Sequence, residues 1–197
     1  MAALIRLATA QDATQIRAIY APIVTDTNFS FELTPPTVSE LRQRMSKTLE
    51  RMPWLSCDLD GVVAGYAYAT PHRVRVAYQW SVEVSVYVHE QHRQRGVARA
   101  LYRSLFELLR LQGYYNAFAG ITLPNEPGAR LHQSLGFQPV GVYRAVAYKR
   151  GAWHDVAWYQ RVLQKHANNP PVPTVLTRLV DTPAFAAALD AGSALLR

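Results

Sequence analysis

The chain has 197 residues, 49% of them hydrophobic, with a formal net charge of +7 at pH 7 and one cysteine, Cys57. This length and apolar fraction are sufficient for one folded domain with its own hydrophobic core. A single cysteine excludes an internal disulfide framework and a metal cluster held by thiolates. Because no apolar run approaches the length that spans a bilayer and the first residues lack a signal-peptide core, we expect a cytoplasmic protein with no membrane partner.

The net positive charge raises nucleic-acid binding as one explanation. The arginines, however, are scattered along the chain, with no lysine-rich tail and no repeat of basic and aromatic residues. An anionic small molecule bound at one place explains the charge more locally, so we expect no nucleic-acid partner.

The first third of the chain predicts a strand, two helices and a β-hairpin. A strand is indicated by ALIRL, and a Thr-x-x-Asp capping pattern from residue 9 starts a helix that runs to about residue 24. Thr37 and Glu40 form a second capping box, at the start of VSELRQRMSKTLERM. Asp60 and Gly61 lie between two strand-like runs, which is the pattern of a tight hairpin turn.

The middle third predicts a strand, a helix and a second strand. SVEVSVYV alternates valine with other residues, so its valines share one face. The next apolar residues recur at helical spacing as far as Gly113, where the helix is expected to stop. YNAFAGITL is then a strand, and it runs parallel to the earlier one if the helix is a crossover.

The last third predicts a short helix, two strands and a different C-terminal segment. The helix lies in NEPGARLHQSLGF and ends at Gly136, and the two strands flank a turn at Arg150 and Gly151. Past Gln164 the sequence is rich in proline and then in alanine. We expect residues 1–165 to form an α/β domain, a mixed sheet with helices on both faces. A linker and tail, residues 166–197, follow and have room for one short helix.

Three arginines, Arg93, Arg95 and Arg99, surround the start of the long helix. The positive end of the helix dipole repels cations, so this arrangement favours an anion bound in the loop. Gly96 and the small Ala98 allow the backbone to approach a diphosphate closely. The loop is not a dinucleotide fingerprint, because the remaining glycines of Gly-x-Gly-x-x-Gly are missing.

This loop resembles the acyl-coenzyme A loop of the GCN5-related N-acetyltransferases (GNAT), whose pattern is Gln/Arg-x-x-Gly-x-Gly/Ala. The chain has RQRGVA at residues 93–98, with alanine at the last position, where many members have glycine. Four blocks, NFSFELTPPT, AYQWSVEVSVYV, LPNEPGARLHQSLGF and AYKRGAWHDVAWYQR, resemble the phosphinothricin acetyltransferase branch of that family. The branch acetylates the α-amino group of glutamate-like compounds and of methionine sulfone or sulfoximine.

The resemblance implies a fold, a co-substrate and an assembly. The fold is a mixed, mostly antiparallel sheet in which two parallel strands splay apart to hold acyl-coenzyme A. Acetyl-CoA is the acetyl donor, and no metal takes part. The acetyl group passes directly to a small amine within a ternary complex, and the chain forms a homodimer.

The resemblance also implies a binding site for the donor. Backbone N–H groups where the first parallel strand bulges and splays, at Val86 to Val88, are expected to stabilise the developing oxyanion. Asn125 is expected to contact the pantetheine, to cap a helix, or both. The residues expected to bind acetyl-CoA are Val86, Tyr87, Val88, Gln94, Arg95, Gly96, Val97, Ala98, Arg99, Asn125 and Ser134.

Two residues are expected to carry the chemistry. The amine arrives as an ammonium and must lose a proton, and Glu83 corresponds to the carboxylate proposed as base in the resembling branch. The alternative for Glu83 is an exposed glutamate on a half-polar strand. His132 occupies the place of a tyrosine that many members use to protonate the leaving thiolate, and histidine can donate a proton near neutral pH. It can instead orient the substrate or lie on a helix surface.

A substrate with a carboxylate or phosphinate favours arginine, because the guanidinium group pairs with both oxygens. Arg75 and Tyr78 match positions that face the substrate in this branch, and Arg73 is a weaker candidate. Phe29 and Phe31 are expected to line the substrate pocket. The arginines are otherwise solvated loop residues, and the two phenylalanines otherwise pack on the core.

Other residues and functions fit less well. Cys57 has no nucleophile signature around it and is expected to be a buried structural cysteine. His89 and His92 lack the pattern of a third metal ligand. An acceptor such as a protein N-terminus, a lysine or a polyamine keeps the same fold. A non-catalytic module that binds coenzyme A or nucleic acid is the remaining alternative.

Overall fold

The computed structural model describes residues 3–196 of the chain. In this part there are seven strands: β1 (Ala3–Leu7), β2 (Trp54–Leu59), β3 (Val62–Pro71), β4 (Ser81–Val88), β5 (Asn116–Thr122), β6 (Gln138–Lys149) and β7 (Ala152–Val162). The α-helices are α1 (Ala13–Asp26), α2 (Val38–Leu49), α3 (Val97–Gln112), α4 (Glu126–Ser134) and α5 (Pro183–Ser193). Short 3-10 turns lie in the connections, one of them, Ala10–Asp12, directly before α1.

The predicted capping box and hairpin turn are both present. At the start of α2, the Thr37 N–H donates to the Glu40 carboxylate (2.7 Å), and the Glu40 N–H donates to the Thr37 hydroxyl (3.2 Å). The turn between β2 and β3 has a positive φ at both Asp60 (52°) and Gly61 (85°), as a type I′ hairpin turn requires. Both predictions are confirmed.

The strands form one sheet in the order β1-β2-β3-β4-β5-β7-β6. Neighbouring strands are antiparallel except β4 and β5, which run parallel because α3 crosses over between them. The parallel pair is joined only over residues 81–83 and 116–118, and the strands separate beyond these residues. The predicted mixed sheet with a splayed parallel pair is confirmed.

Alternation along β4 divides its side chains between the two faces of the sheet. Val82 and Val84 are buried in a core that also contains Val97 and Leu101 of α3. The opposite face carries a second core, which joins α1 and α2 to aromatic residues of β2 and β3. Glu83, between the two valines, therefore faces the side covered by α1 and α2.

The segment past residue 165 packs on this sheet and its helices. Its alanine-rich part forms α5, which lies against α3 and β1. The Ser104 hydroxyl donates to the Leu189 carbonyl (2.8 Å), and the Ile5 N–H donates to the Ser193 hydroxyl (2.9 Å). The C-terminal helix thereby supports α3 from outside.

Within residues 3–196, no helix combines the length and the apolar character that a membrane crossing needs.

Candidate active site

A cleft of about 910 Å³ opens where β4 and β5 separate. It extends to the first turn of α3, and α4 forms part of its wall. Twelve of the residues predicted from the sequence line it: Phe29, Val86, Tyr87, Val88, Gln94, Gly96, Val97, Ala98, Arg99, Asn125, His132 and Ser134. Five do not, namely Phe31, Arg75, Tyr78, Glu83 and Arg95. Most of the expected donor residues therefore lie around one cleft.

The turn that leads into α3 has two positive φ angles, at Gln94 (60°) and Gly96 (80°). Gly96 is the N-cap of α3, and it offers no side chain to accept from the N–H groups of the first turn. These N–H groups and the positive end of the helix are therefore available to an anion. Arg93 and Arg99 line the same cleft, and Arg99 Nη2 donates to the Ser134 hydroxyl (3.3 Å). The free N–H groups of this turn and the two neighbouring arginines suit the binding of a diphosphate.

The cleft does not arise from a bulge in β4. This strand pairs with β3 in an unbroken register, from residue 82 opposite residue 71 to residue 88 opposite residue 65. The bulge that the family resemblance implied near Val86 to Val88 is absent, and β4 keeps ordinary ladder pairing with β3 there. These residues are released from β5 because the parallel pairing ends at Glu83, which leaves backbone groups on that side for a ligand.

Glu83 is the last residue of β4 that pairs with β5. It directly precedes the segment of β4 that lines the cleft. Its side chain is 33% exposed. Its Oε1 is 3.0 Å from both His72 Nδ1 and Arg73 Nη1. Among the described residues, no hydrogen bond reaches Oε2. One carboxylate oxygen is thus held, and the other is open to a proton donor.

His132 is only 7% exposed, although it lies on the short helix α4. Its Nδ1 is 2.8 Å from the Gly128 carbonyl, which can only accept, so Nδ1 carries the proton. Nε2 then accepts from the Tyr102 hydroxyl (3.0 Å). Burial lowers the pKa of His132, with an opposing effect of the hydrogen bond to Gly128, so the ring is neutral at pH 7. The alternative of a helix-surface histidine is wrong.

Asn125 is the N-cap of α4. Its side-chain oxygen accepts from the Gly128 N–H (3.0 Å), and the residue also lines the cleft. The capping role anticipated for Asn125 is confirmed, and it orients the amide beside the cleft.

The loop between α1 and α2 brings its two phenylalanines to different places. Phe29 is 46% exposed and lines the cleft, whereas Phe31 is half-buried with its ring 6.3 Å from that of His154. The loop is anchored by Lys149, whose buried Nζ donates to the carbonyls of residues 24 (2.7 Å) and 30 (2.6 Å). The end of the β6–β7 hairpin therefore fixes the position of this loop.

Three of the predicted polar residues lie further out. Tyr78 is half-exposed, and its ring is edge-on to His72 at 6.1 Å. Arg75 is exposed, lines neither cavity described for the chain, and makes no ion pair within residues 3–196. Arg95 is exposed in the turn before α3 and does not line the cleft. These arginines can meet an anion that arrives from solvent, but they do not form cavity walls.

A second cavity, of about 430 Å³, lies on the face of the sheet covered by α1 and α2. Its lining includes the buried ring of Trp54 and the ion pair between Arg44 and Glu32 (2.6 Å). Thr70 also lines it and is the cross-strand partner of Glu83. The cavity therefore adjoins Glu83. No local sequence pattern indicated this cavity, because its residues come from several separate elements.

Two alternative chemistries lose support. Burial raises the pKa of the Cys57 thiol to about 12, so it is not a thiolate, and the predicted structural cysteine is confirmed. The rings of His89 and His92 lie 5.8 Å apart. In the described part of the chain, no group of three or more His, Cys, Asp or Glu side chains is arranged to hold a metal ion.

Comparison with known proteins agrees with this geometry. A family model described as "Acetyltransferase (GNAT) domain" matches residues 5–158. A phosphinothricin N-acetyltransferase of Streptomyces viridochromogenes is 39% identical over 171 residues, covering 87% of this chain and 93% of the relative. An L-methionine sulfoximine/L-methionine sulfone acetyltransferase of Salmonella typhimurium is 34% identical over 164 residues, covering 83% of this chain and 96% of the relative.

A solved structure is similar over most of its length. The crystal structure of a GNAT superfamily phosphinothricin acetyltransferase from Sinorhizobium meliloti, in complex with acetyl-CoA, has a TM-score of 0.81 and 32% sequence identity. The similarity covers 89% of this chain and 99% of that chain.

Proposed function

The chain belongs to the GNAT family of N-acetyltransferases, and we propose that it transfers the acetyl group of acetyl-CoA to the amino group of a small amino-acid-like compound. The candidate acceptors are phosphinothricin and methionine sulfone or sulfoximine, the compounds for which its relatives are named. The single observation that carries the proposal is the course of the cleft. It runs from the first turn of α3 along the separated end of β4, residues 84–88, which begins directly after Glu83.

The donor site uses backbone more than side chains. The first-turn N–H groups of α3 hold the diphosphate of the donor, with Arg93 and Arg99 adding positive charge at the rim. The separated segment Val86 to Val88 offers backbone N–H groups to the acetyl carbonyl oxygen and the pantetheine. Asn125 faces the same chain from the start of α4. Acetyl-CoA, when bound, supplies the activated acetyl group.

Glu83 acts as the base. Its Oε1 is held by two donors, so Oε2 accepts the proton that the ammonium must lose before the amine attacks. The amine then attacks the thioester carbonyl while both substrates are bound, the C–S bond breaks, and coenzyme A leaves with its sulfur taking up the proton that the new amide nitrogen loses. Direct transfer needs no protein nucleophile, which agrees with the burial of Cys57.

His132 has an orienting role in this proposal rather than that of a general acid. Its Nδ1 proton is engaged by the Gly128 carbonyl and its Nε2 accepts from Tyr102, so the neutral ring has no proton to give to a thiolate. The pair fixes Tyr102 at the cleft wall. The sequence did not indicate a site role for Tyr102, because this residue lies on the apolar face of α3.

The acceptor lies on the side of Glu83. Phe29 bounds this side where it lines the cleft, and Phe31 supports the same loop between α1 and α2 from beside His154. Arg75 and Tyr78 receive the carboxylate or phosphinate from the connection before β4. The exposure of Arg75 and the absence of an ion pair within residues 3–196 leave its charge available for such a group.

We also propose a homodimer. β6 is at the edge of the sheet and its side chains are almost all exposed. The exposed large apolar residues on β6 and at the start of β7 are Val140, Val142, Tyr143, Val146, Tyr148 and Trp153. An apolar edge strand of this kind supports pairing with a second copy.

A coenzyme A release assay with a panel of amines tests the proposed activity. Phosphinothricin and methionine sulfone are expected to be acetylated, and a lysine peptide and a polyamine are expected to be poor acceptors. Glu83→Gln should lower kcat/KM by about 10²–10⁴-fold, the usual contribution of a positioned base, while leaving acetyl-CoA affinity unchanged. Glu50→Gln, an exposed glutamate at the end of α2, is the matched control and should behave as the unmodified chain. No release above background with any amino acid analogue would overturn the substrate assignment.

A further inference from the structure

His72 makes a contact that the donor site and the substrate residues leave unexplained. It directly follows β3, and its side chain is only 12% exposed. Nδ1 lies 3.0 Å from Glu83 Oε1. Because an ionised carboxylate can only accept, Nδ1 carries the proton in this pair. No hydrogen bond reaches Nε2 from any residue that the structure describes.

The imidazole ring is held firmly by aromatic side chains. It stacks on Phe118 of β5, with centroids 4.2 Å apart and planes 13° apart. Trp158 of β7 meets it edge-on at 6.0 Å, and Tyr78 does so at 6.1 Å. The contact between His72 and Glu83 therefore ties the carboxylate to three parts of the fold: β5, β7 and the connection before β4.

The hydrogen bonds to Glu83 fall on one oxygen. His72 and Arg73 both donate to Oε1, and Oε2 has no partner among the described residues. The titratable or charged groups near the pair are Arg73, Tyr78 and, from β3, Tyr68, while β5 and β7 contribute the uncharged Phe118 and Trp158. This arrangement selects one carboxylate rotamer and leaves a defined oxygen for the chemistry.

We propose that His72 is a positioning residue for acetyl transfer, which holds the Glu83 carboxylate so that Oε2 meets the acceptor amine. In the step it supports, an N–H bond of the ammonium breaks, the proton goes to Oε2 and the electron pair stays on nitrogen. His72 keeps its own proton throughout. This inference rests on the proposed function, because it requires Glu83 to be the base.

Two substitutions separate the hydrogen bond from the packing. His72→Phe keeps the stacking on Phe118 and removes the donor, whereas His72→Asn keeps an N–H donor and removes the ring. We expect His72→Phe to lower kcat by about 10- to 100-fold through misplacement of the base, with acetyl-CoA affinity unchanged, and His72→Asn to recover part of the loss. His166→Phe is the matched control, since His166 also stacks on an aromatic ring, Tyr115, at 5.6 Å, but its hydrogen bond within the described residues is to Asn116 and not to Glu83.

The rescue variant supplies a readout that a purely structural role would not move. If His72 only supports the fold, His72→Asn, which lacks the ring, should be at least as slow as His72→Phe, and that result would overturn the proposal. Partial recovery of kcat by His72→Asn supports the hydrogen bond as the working contact.

A double-mutant cycle distinguishes failure of this inference from failure of the proposed function. In a Glu83→Gln background, His72→Phe should have no further effect on kcat, because both changes act on one group. If the double variant loses kcat by the product of the two single losses, His72 does not act through Glu83, and the positioning role is overturned. A wild-type rate in Glu83→Gln alone would instead overturn the base assignment beneath it. If His72→Phe does not fold, the ¹⁵N shifts of His72 in the unmodified chain decide: an Nδ1–H tautomer is expected, and an Nε2–H tautomer refutes the proposal.

Discussion

At the residue scale, the polar side chains around the cleft are fixed by hydrogen bonds inside the protein. His132 is satisfied at both nitrogens, Glu83 at one oxygen, and the Nζ of Lys149 bonds to two carbonyls. A buried polar group that loses its partner costs more than the hydrogen bond itself contributed. These residues are therefore sensitive positions for both stability and activity, and each gives a specific expectation.

The stability contribution of His132 should depend on pH. Its folded-state pKa lies below the ordinary value of 6.5, so below that pH the unfolded chain binds a proton that the folded chain does not. The unmodified protein should therefore lose stability as pH falls from about 7.5 to about 5.5, at up to about 1.4 kcal/mol per pH unit. His132→Phe removes this effect, and it should cost about 1–3 kcal/mol at the higher pH because Tyr102 loses its partner.

Urea unfolding of both proteins at the two pH values measures this. The difference in free energy of unfolding between the unmodified protein and His132→Phe should be smaller at the lower pH. A difference of constant size would contradict the account of His132 as a buried neutral residue.

Lys149 should control acceptor binding through the loop that it anchors. Lys149→Met removes the two hydrogen bonds to carbonyls of residues 24 and 30 and loosens the loop that carries Phe29 and Phe31. We expect KM for the acceptor to rise several-fold while acetyl-CoA affinity is unchanged, and stability to fall by about 1–3 kcal/mol. Steady-state kinetics and calorimetry separate the two sites, with Lys165→Met, an exposed lysine, as the control. Equal losses of affinity for the acceptor and for acetyl-CoA would refute the link between Lys149 and the acceptor side of the site.

At the element scale, α3 is held between the sheet and α5. Its first turn forms the anion site, and its outer side contacts α5, where Gly192 lies directly against the Ala100 carbonyl and the Ser104 hydroxyl. The Gly192 N–H also donates to Ser104 (3.1 Å). The two helices approach closely because residue 192 has no side chain.

A methyl group at this crossing should destabilise the protein. The Cβ of Gly192→Ala would overlap backbone of α3, so α5 must shift, and overpacking of this kind typically costs about 1–3 kcal/mol. Gly141→Ala is the matched control, since a Cβ there meets no atom within 4 Å and no loss is expected. Chemical denaturation compares the two. Equal stability of both variants would contradict the close packing of α5 on α3.

At the scale of the whole molecule, the exposed apolar edge at β6 predicts association. The full chain should sediment as a dimer, and Tyr148→Arg should shift it toward monomer, because two copies of the charge would meet across the shared edge. Sedimentation velocity of both proteins measures this. A monomer for the unmodified chain, or a dimer unaffected by the substitution, would refute β6 as the interface.

The sequence could predict what is encoded by neighbouring residues. The capping box at Thr37, the hairpin turn at Asp60, the crossover and the RQRGVA loop are all local patterns, and the resemblance to the GNAT family that rests on such blocks is confirmed. Contacts that depend on tertiary packing could not be predicted from the sequence. The contact between His72 and Glu83 depends on how the connection before β4 folds, and the second cavity draws on several separate elements. No sequence pattern locates the opening of the cleft either, because divergence of β5, and not a local feature of β4, produces it.

Titration calorimetry of the full chain with acetyl-CoA tests the central claim most directly, namely that the turn before α3 and the splayed strands bind this donor. One molecule per chain should bind saturably, with a Kd within the range of about 1 μM to 1 mM common for enzyme substrates. Absence of binding heat from folded protein, at several temperatures and at millimolar donor, would contradict the account.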